Sequence, residues 1–510
     1  MSKLRDGDRI RNESVLDAIL EEKPQVTDHP NIVFLFPDQL RQDFLSCYGA
    51  EFIDTPNIDA LSGEGVRYER AYSGSPVCVP ARTALLTGMN AFRNGVSDNL
   101  HRMRSDYLAA GIATWPMLLS EAGYYTTGIG KMHFYPWDEH HGFQHRVICE
   151  DKRWLEVRDD YYHYLREQGL QKLHGNEHGG YFKNKGAVIH KLPWEHQWDR
   201  FVGREAVKFI DTYGGDGPFA MMVGFPGPHC PYDPAHDLPY NNKPEDMPDP
   251  IPEIETDTPL LRQGNIKGNK RPWNGVDYTD FNLSHKKKIR AHYASLVKGI
   301  DHEVGEIVTA LRNKGVLDNT IIIFATDHGD YLGDHNLIGK GSFYETCMRI
   351  PLIIRMPGAQ RTVSRELVEL RDITATMLRF AGVEIPANMD SQTLPALPVT
   401  DTVPRDRVFG LLTDGWMIYD GKWKLAKYAT GESVLFNLGE DPFEQINLIR
   451  DSKAINELAR LDAELSGYIM EQYRIAMHDR LAHSGDMSQD PGFGREGWRA
   501  PFPSPVDFAF

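Results

Sequence analysis

The residues able to do covalent and acid–base chemistry fall in a few short segments of this chain. One is Ser75-Pro-Val-Cys78-Val-Pro80-Ala-Arg82-Thr-Ala-Leu-Leu-Thr-Gly88. Proline is favoured in a first helical turn and glycine just past a last one, so the spacing predicts Cys78 at the N-terminus of a short helix that ends at Gly88. Free backbone N–H groups and the helix dipole favour an anion there. Arg82, one turn on, can reach back to it. Taken alone, a cysteine before a helix is more often an ordinary buried thiol.

A second constellation is Asp38, Gln39, Asp327 and His328. The apolar run Ile32-Val33-Phe34-Leu35-Phe36 leads straight into Pro37-Asp38-Gln39, and Thr320–Ala325 leads into Thr326-Asp327-His328-Gly329. Both aspartates therefore fall at carboxyl ends of predicted strands, where parallel sheets place their sites. Oxygen ligands with one imidazole suit a hard or borderline divalent ion. One such aspartate is usually a turn or a helix cap; two beside the Cys78 segment point to a metal.

Lys131 and His133 stand two apart, so on an extended segment they project the same way. His229 lies in the stiff loop Pro226-Gly-Pro-His-Cys-Pro231, and Lys340 follows Gly333-Asp-His335-Asn-Leu-Ile-Gly339. The default for each is a solvated surface group, in a chain with 20 histidines. His335 is read as structural or supporting, and His140-His141 has no partner at ligand spacing.

These segments need a scaffold. Besides the two runs above, Ala220–Phe225 and Pro351–Arg355 read as strands. Ile300, Val304, Ile307, Val308 and Leu311 keep helical spacing, with Gly315 placed to stop the helix. Strands alternating with helices predict an α/β fold, a large mostly parallel mixed sheet sandwiched by helices. After Pro398 the texture changes. Asp420-Gly421 between Trp416–Tyr419 and Trp423–Leu425 signals a hairpin. Val434–Leu438 continues it, and a helix is predicted over Lys453–Arg474. The expected organisation is a polar extension over residues 1–30 with one helix around Glu13–Glu22, a catalytic domain over 31–398, and over 399–510 a small α+β subdomain ending in a packed tail. The aromatic-rich insertion Glu150–Arg200, with Trp154, Tyr161, Tyr162, Tyr164, Tyr181, Phe182 and Trp194, is either a lid or plain core packing.

At 510 residues and 41% hydrophobic content the chain can bury a large core. Its net charge of -16 argues against nucleic acid, while leaving room for one positive pocket. No apolar run approaches a membrane span, and the N-terminal residues lack the apolar core of a secretory signal. Cys47, Cys78, Cys149, Cys230 and Cys347 are scattered, which argues against a disulfide framework. The expectation is a cytoplasmic protein with no membrane partner, self-association being left open.

The pattern Cys-x-Pro-x-Arg with its Thr-Gly stop resembles the signature of the formylglycine-dependent sulfatases, within the alkaline phosphatase superfamily. The resemblance extends through Thr55-Pro-Asn57-Ile-Asp59-Ala-Leu61, Gly130-Lys131-Met132-His133-Phe134, Thr326-Asp327-His328-Gly329, and Asp420-Gly-Lys-Trp423-Lys424 to Asn447-Leu448. It implies a sulfatase, an arylsulfatase-like sulfuric ester hydrolase. Cys78 would be oxidised to formylglycine by a maturation enzyme. Asp38, Gln39, Asp327, His328 and an oxygen of residue 78 would hold one divalent ion, Ca2+ first and Mn2+ or Zn2+ as alternatives. Arg82, Lys131 and Lys340 would hold sulfate oxygens, His229 with Lys340 would protonate the leaving alcohol, and His133 would act on residue 78 to release sulfate. The expected substrate is a small alkyl, aryl or single-sugar sulfate. Many sulfatases carry Asp at position 39 and Asn at position 328. Gln39 and His328, with Asn99 as a pocket residue, resemble instead phosphonate monoester hydrolases and phosphodiesterases of the same superfamily. Those relatives carry Tyr and Thr where this chain has Lys131 and His133, so they stand second. A non-catalytic binding protein stands third.

Overall fold

The structure is a computed structural model. It describes residues 29–478 apart from residues 109, 239–241, 255–259, 270–274 and 399–401. The helix expected around Glu13–Glu22 and the tail over 480–510 lie outside the described residues.

The two apolar runs form the middle of the main sheet because residues buried on both faces need no polar alternation. They are β1 (Asn31–Leu35) and β6 (Thr320–Ala325), fully buried and paired in parallel, Leu35 opposite Phe324. Around them lie β2 (Gly65–Tyr72), β3 (Tyr125–Gly130), β4 (His145–Ile148), β5 (Phe219–Gly224), β7 (Arg349–Arg355) and β8 (Thr362–Glu369). The order across the sheet is β4-β3-β5-β1-β6-β7-β2-β8. Pro351–Arg355 is a strand as expected, but β7 runs antiparallel to both its neighbours, β6 and β2. Every other pairing in the sheet is parallel. Because β7 is reversed, the chain over residues 326–348 leaves β6 and re-enters at β7 on one edge of the sheet.

Alternate residues feed two cores. Val33, Leu35, Val223 and Phe324 pack under α3 (Trp198–Thr212) and α4 (Leu283–Asn313), the latter through Ile300, Val304, Ile307 and Leu311. On the other face Ile32, Phe34, Met222 and Ile323 pack under α1 (Cys78–Thr87), α2 (Trp115–Glu121) and α5 (Asp372–Phe380). Helix α1 begins at Cys78, holds Pro80 in its first turn, and stops at Gly88, whose φ of 64° is left-handed.

The C-terminal unit is the expected antiparallel sheet plus helix. Strands β9 (Val408–Leu412), β10 (Gly415–Tyr419), β11 (Trp423–Tyr428) and β12 (Ser433–Asn437) form a meander, with the Asp420-Gly421 turn joining β10 to β11. Ile418, Leu425 and Leu435 pack on α6 (Ile455–His478) through Leu461 and Leu465. The opposite face sets Met417, Ala426 and Phe436 against Tyr72, Phe343 and Met348 of the main domain. A buried ammonium fixes that contact: Lys424 Nζ lies 2.8 Å from both Glu345 and Glu444. Among the described residues no helix is long and apolar enough to cross a membrane.

Candidate active site

The parallel strands deliver the predicted residues to one edge. Asp38 and Gln39 follow β1, Asp327 and His328 follow β6, Lys131 and His133 follow β3, and His229 follows β5. Cys78 opens α1 after β2, and the 326–348 connection brings Lys340. Lys131 and His133 do converge, but not on a strand: β3 ends at Gly130 and His133 has a left-handed φ of 60°. Close backbone contact explains the glycines there. A Cβ on Gly130 would lie 2.1 Å from the Gly224 carbonyl oxygen, and one on Gly224 2.1 Å from the Lys131 oxygen. A side chain at either position would push β3 away from β5.

At the centre Asp38, Cys78, Asp327 and His328 bring ligand atoms within 4.8 Å of one another, all buried. His328 Nδ1 lies 2.9 Å from the Gly329 carbonyl, which takes its N–H. That leaves the Nε2 lone pair facing Cys78 Sγ at 3.3 Å. A ring nitrogen tied to a carbonyl is the arrangement of an imidazole ready to ligate. Gln39 Oε1 faces the same space, 2.6 Å from Lys340 Nζ. Two carboxylates, an amide oxygen and an oriented imidazole, gathered around residue 78, fit a divalent ion.

Cations surround this acidic centre. Lys131 Nζ lies 2.5 Å from Asp38 Oδ2 and 3.1 Å from Asp151 Oδ2. Burial works against its ammonium, but Asp151 and Asp38 outweigh that and hold its pKa up. Arg82 donates to Asp327 Oδ2 at 2.9 Å and to the Lys131 carbonyl at 2.9 Å, with Asp38 3.3 Å from Nη2. Lys340 donates to Cys78 Sγ at 3.0 Å and lies 2.8 Å from His229 Nε2. Burial alone raises the Cys78 thiol. The Lys340 ammonium, foremost among its neighbours, nevertheless holds it well below the usual thiol range. Burial, then Lys340 and Arg153, push His229 down to about 3. Its Nδ1 lies 2.8 Å from the Cys230 carbonyl, so the neutral ring carries its proton there. His133 is held by its backbone N–H on Glu150, and its ring meets Trp154 edge-on at 5.0 Å. Asn99 accepts from the Val79 N–H at 2.9 Å, capping the helix that Cys78 begins.

Sequence reasoning missed the groups behind these. Asp151 joins Lys131 to Arg153, Glu150 fixes the His133 backbone, and Asp330 takes the Gln39 amide N–H. The insertion therefore divides its work: Tyr161 and Tyr181 are core, while Asp151 and Trp154 reach the site. A second grouping, His178, His190 and Asp233, is also buried. There His190 Nδ1 accepts the Leu192 N–H, which puts the neutral ring's proton on Nε2, and Lys152 already pairs with Asp233 at 2.6 Å. Both features oppose a metal. His335 stacks on Tyr344 and His141 packs on Phe134, away from the centre.

The Sulfatase family profile matches residues 30–383, and the profile for the N-sulphoglucosamine sulphohydrolase C-terminal region matches 333–471. The chain is 30% identical over 468 residues to an arylsulfatase of Clostridium perfringens, covering 83% of this chain and 91% of that one. It is 28% identical to a choline-sulfatase of Rhizobium meliloti, covering 89% and 90%. In fold it resembles the phosphonate monoester hydrolase of Agrobacterium radiobacter, with TM-score 0.74, 24% identity, and coverage of 88% and 96%. It also resembles a structure solved with its substrate D-glucosamine-2-N,6-O-disulfate, with TM-score 0.68, 23% identity, and coverage of 89% and 99%. A family profile spanning most of the chain, joined to an alkaline phosphatase-like fold, places this protein in the sulfatase family of sulfuric ester hydrolases.

Proposed function

We propose that the protein hydrolyses a small alkyl, aryl or single-sugar sulfate monoester, using formylglycine made from Cys78 by a maturation enzyme and one divalent ion. The observation that carries this reading is the position of Cys78. It opens a helix inside the ligand cluster, with Lys340 and His328 within 3.3 Å of its sulfur. Asp38, Gln39, Asp327, His328 and residue 78 would hold the ion, Ca2+ before Mn2+ or Zn2+ because oxygen donors dominate. Hydrated formylglycine supplies one oxygen to attack sulfur and another to expel sulfate, and the ion supplies Lewis acidity.

The chain's own groups do the rest. Lys131, Arg82 and Lys340 orient the sulfate oxygens and offset their charge in the transition state. The Lys340–His229 pair delivers a proton to the leaving oxygen, and the His133 ring takes one from residue 78 to release sulfate. Asn99 holds the helix end against which the ester lies. We read residues 31–398 as the catalytic unit, 399–510 as the subdomain and tail, and 1–30 as an extension. All five cysteines are free thiols, which favours the cytoplasm.

The test is a panel of matched sulfate monoesters, phosphate diesters and phosphonate monoesters on protein co-expressed with a maturation enzyme. We expect sulfate monoesters to be preferred, the aldehyde mass at position 78, and nearly complete loss of turnover in Cys78→Ala. Faster turnover of phosphonates or diesters than of every sulfate would transfer the chain to the second reading, which Gln39 and His328 favour. A fully active Cys78→Ala would end both.

A further inference from the structure

Gln39 and Asp330 are both fully buried, and they meet side by side. An amide side chain is almost symmetric in shape, so packing alone cannot decide whether its oxygen or its nitrogen faces a given neighbour; hydrogen-bond partners must decide. Here both neighbours are unambiguous. On the inner side stands the Lys340 ammonium, which only donates, 2.6 Å from Gln39 Oε1. On the outer side stands Asp330 Oδ2, which accepts the Gln39 Nε2 N–H and, at 2.8 Å, the Tyr232 hydroxyl. The other carboxylate oxygen, Oδ1, accepts the Leu332 N–H at 3.0 Å and the Gly339 N–H at 3.1 Å. Four donors thus converge on one carboxylate.

We propose that Asp330 is a positioning residue: by accepting from Gln39 it turns the amide oxygen, rather than the NH2, toward Lys340 and the ion-binding cluster. The inference rests on the reading of Gln39 as a ligand and adds the group that makes it one. An NH2 in that place would offer the ion no lone pair and would set a donor against the Lys340 ammonium. The two backbone N–H groups fix Asp330 itself, so its orientation does not depend on the ion.

The same fixed N–H groups make Asp330→Asn informative. Leu332 and Gly339 still need an acceptor, so the new amide keeps its oxygen at Oδ1 and sets its NH2 where Oδ2 was. Donor then faces donor, and Gln39 turns over. The Tyr232 hydroxyl can accept from the new NH2, which limits the damage to the fold. Calorimetric titration of Ca2+ into metal-stripped protein should show affinity reduced about 10–100-fold, the scale typical of groups that orient metal ligands.

The double variant Asp330→Asn/Gln39→Glu reverses the pairing, since the carboxylate introduced at position 39 accepts from the new NH2 and presents its second oxygen inward. It should recover Ca2+ affinity to within about tenfold of wild type on that same scale. Because every donor again meets an acceptor, the double variant also serves if Asp330→Asn folds poorly. Unchanged Ca2+ affinity in Asp330→Asn, or a double variant no better than the single one, overturns the proposal. Asp327→Asn, titrated in parallel, separates the levels. Loss of Ca2+ there with none in Asp330→Asn sinks only the positioning role. Wild-type affinity in Asp327→Asn removes the ligand reading, and the inference with it.

Discussion

Lys340 donates its ammonium to Nε2 of His229 across 2.8 Å. The two side chains therefore form one acid, with the proton on lysine and the imidazole neutral behind it, its own N–H spent on the Cys230 carbonyl. Burial and the neighbouring cations, which hold His229 down to about 3, give that polarity its cause.

A proton donor matters most when the leaving group is a poor one. His229→Ala and Lys340→Ala should slow alkyl sulfates by about two to four orders of magnitude, the usual range for lost acid catalysis. An aryl sulfate with an acidic phenol should suffer far less. Rates plotted against leaving-group acidity would show this as a steeper slope in the variants; equal losses on both substrates would remove the pair from proton transfer.

His133 stands on the other side of residue 78. His133→Ala should reduce turnover by about two to four orders of magnitude. It should also leave an enzyme carrying covalent sulfate, detectable by intact mass after quenching. A slow variant with no sulfated species would place its role before sulfur transfer instead of after it.

Asp327 has two duties, since it takes Arg82 Nε at 2.9 Å while lying in the ligand cluster. Asp327→Asn keeps the shape but loses the charge that both partners use. Expected results are a loss of most bound divalent ion by elemental analysis and a parallel fall in kcat/KM. A stoichiometric ion retained by this variant would move the metal centre elsewhere.

Away from the site, Glu303 is fully buried on α4. Burial, only partly offset by Arg200 at 3.0 Å, pushes its carboxyl up to about 8. Below the ordinary glutamate range both folded and unfolded chains hold this proton. As pH rises toward 8 the unfolded chain releases it first, so Glu303 makes folding less favourable by at most about 1.4 kcal/mol per pH unit. Thermal melts from pH 5 to 8 should therefore fall less steeply for Glu303→Gln than for wild type. Identical slopes would mean that Glu303 is ionised throughout.

How much of this was legible depended on how local each signal is. Asp38 and Asp327 could be placed because an apolar strand precedes each one directly, and Cys78 because Pro80 and Gly88 bracket its helix. The reversal of β7 could not, since Pro351–Arg355 is equally apolar whichever way it runs. Nor could the turn at His133, where the backbone departs from an extended path although the two side chains still converge. Asp151, Glu150 and Asp330 are ordinary acids in sequence. Their partners Lys131, His133 and Gln39 are brought to them only when β1, β3, β4 and β6 assemble.

The reversed strand has an evolutionary consequence. Ala325 and Leu352 are cross-strand neighbours, so the excursion bearing Asp327, His328, Asp330 and Lys340 starts and finishes about one strand spacing apart. Such a closed excursion is a cassette. Its middle is not a free loop, because Asp334 is ion-paired to both Arg41 and Arg290 and ties it to the core, so the excursion is inherited as one block. Substitutions between Tyr331 and Ile338 must therefore keep buried groups such as Asp334 and the Leu332 N–H if both flanks are to hold the reacting groups in register.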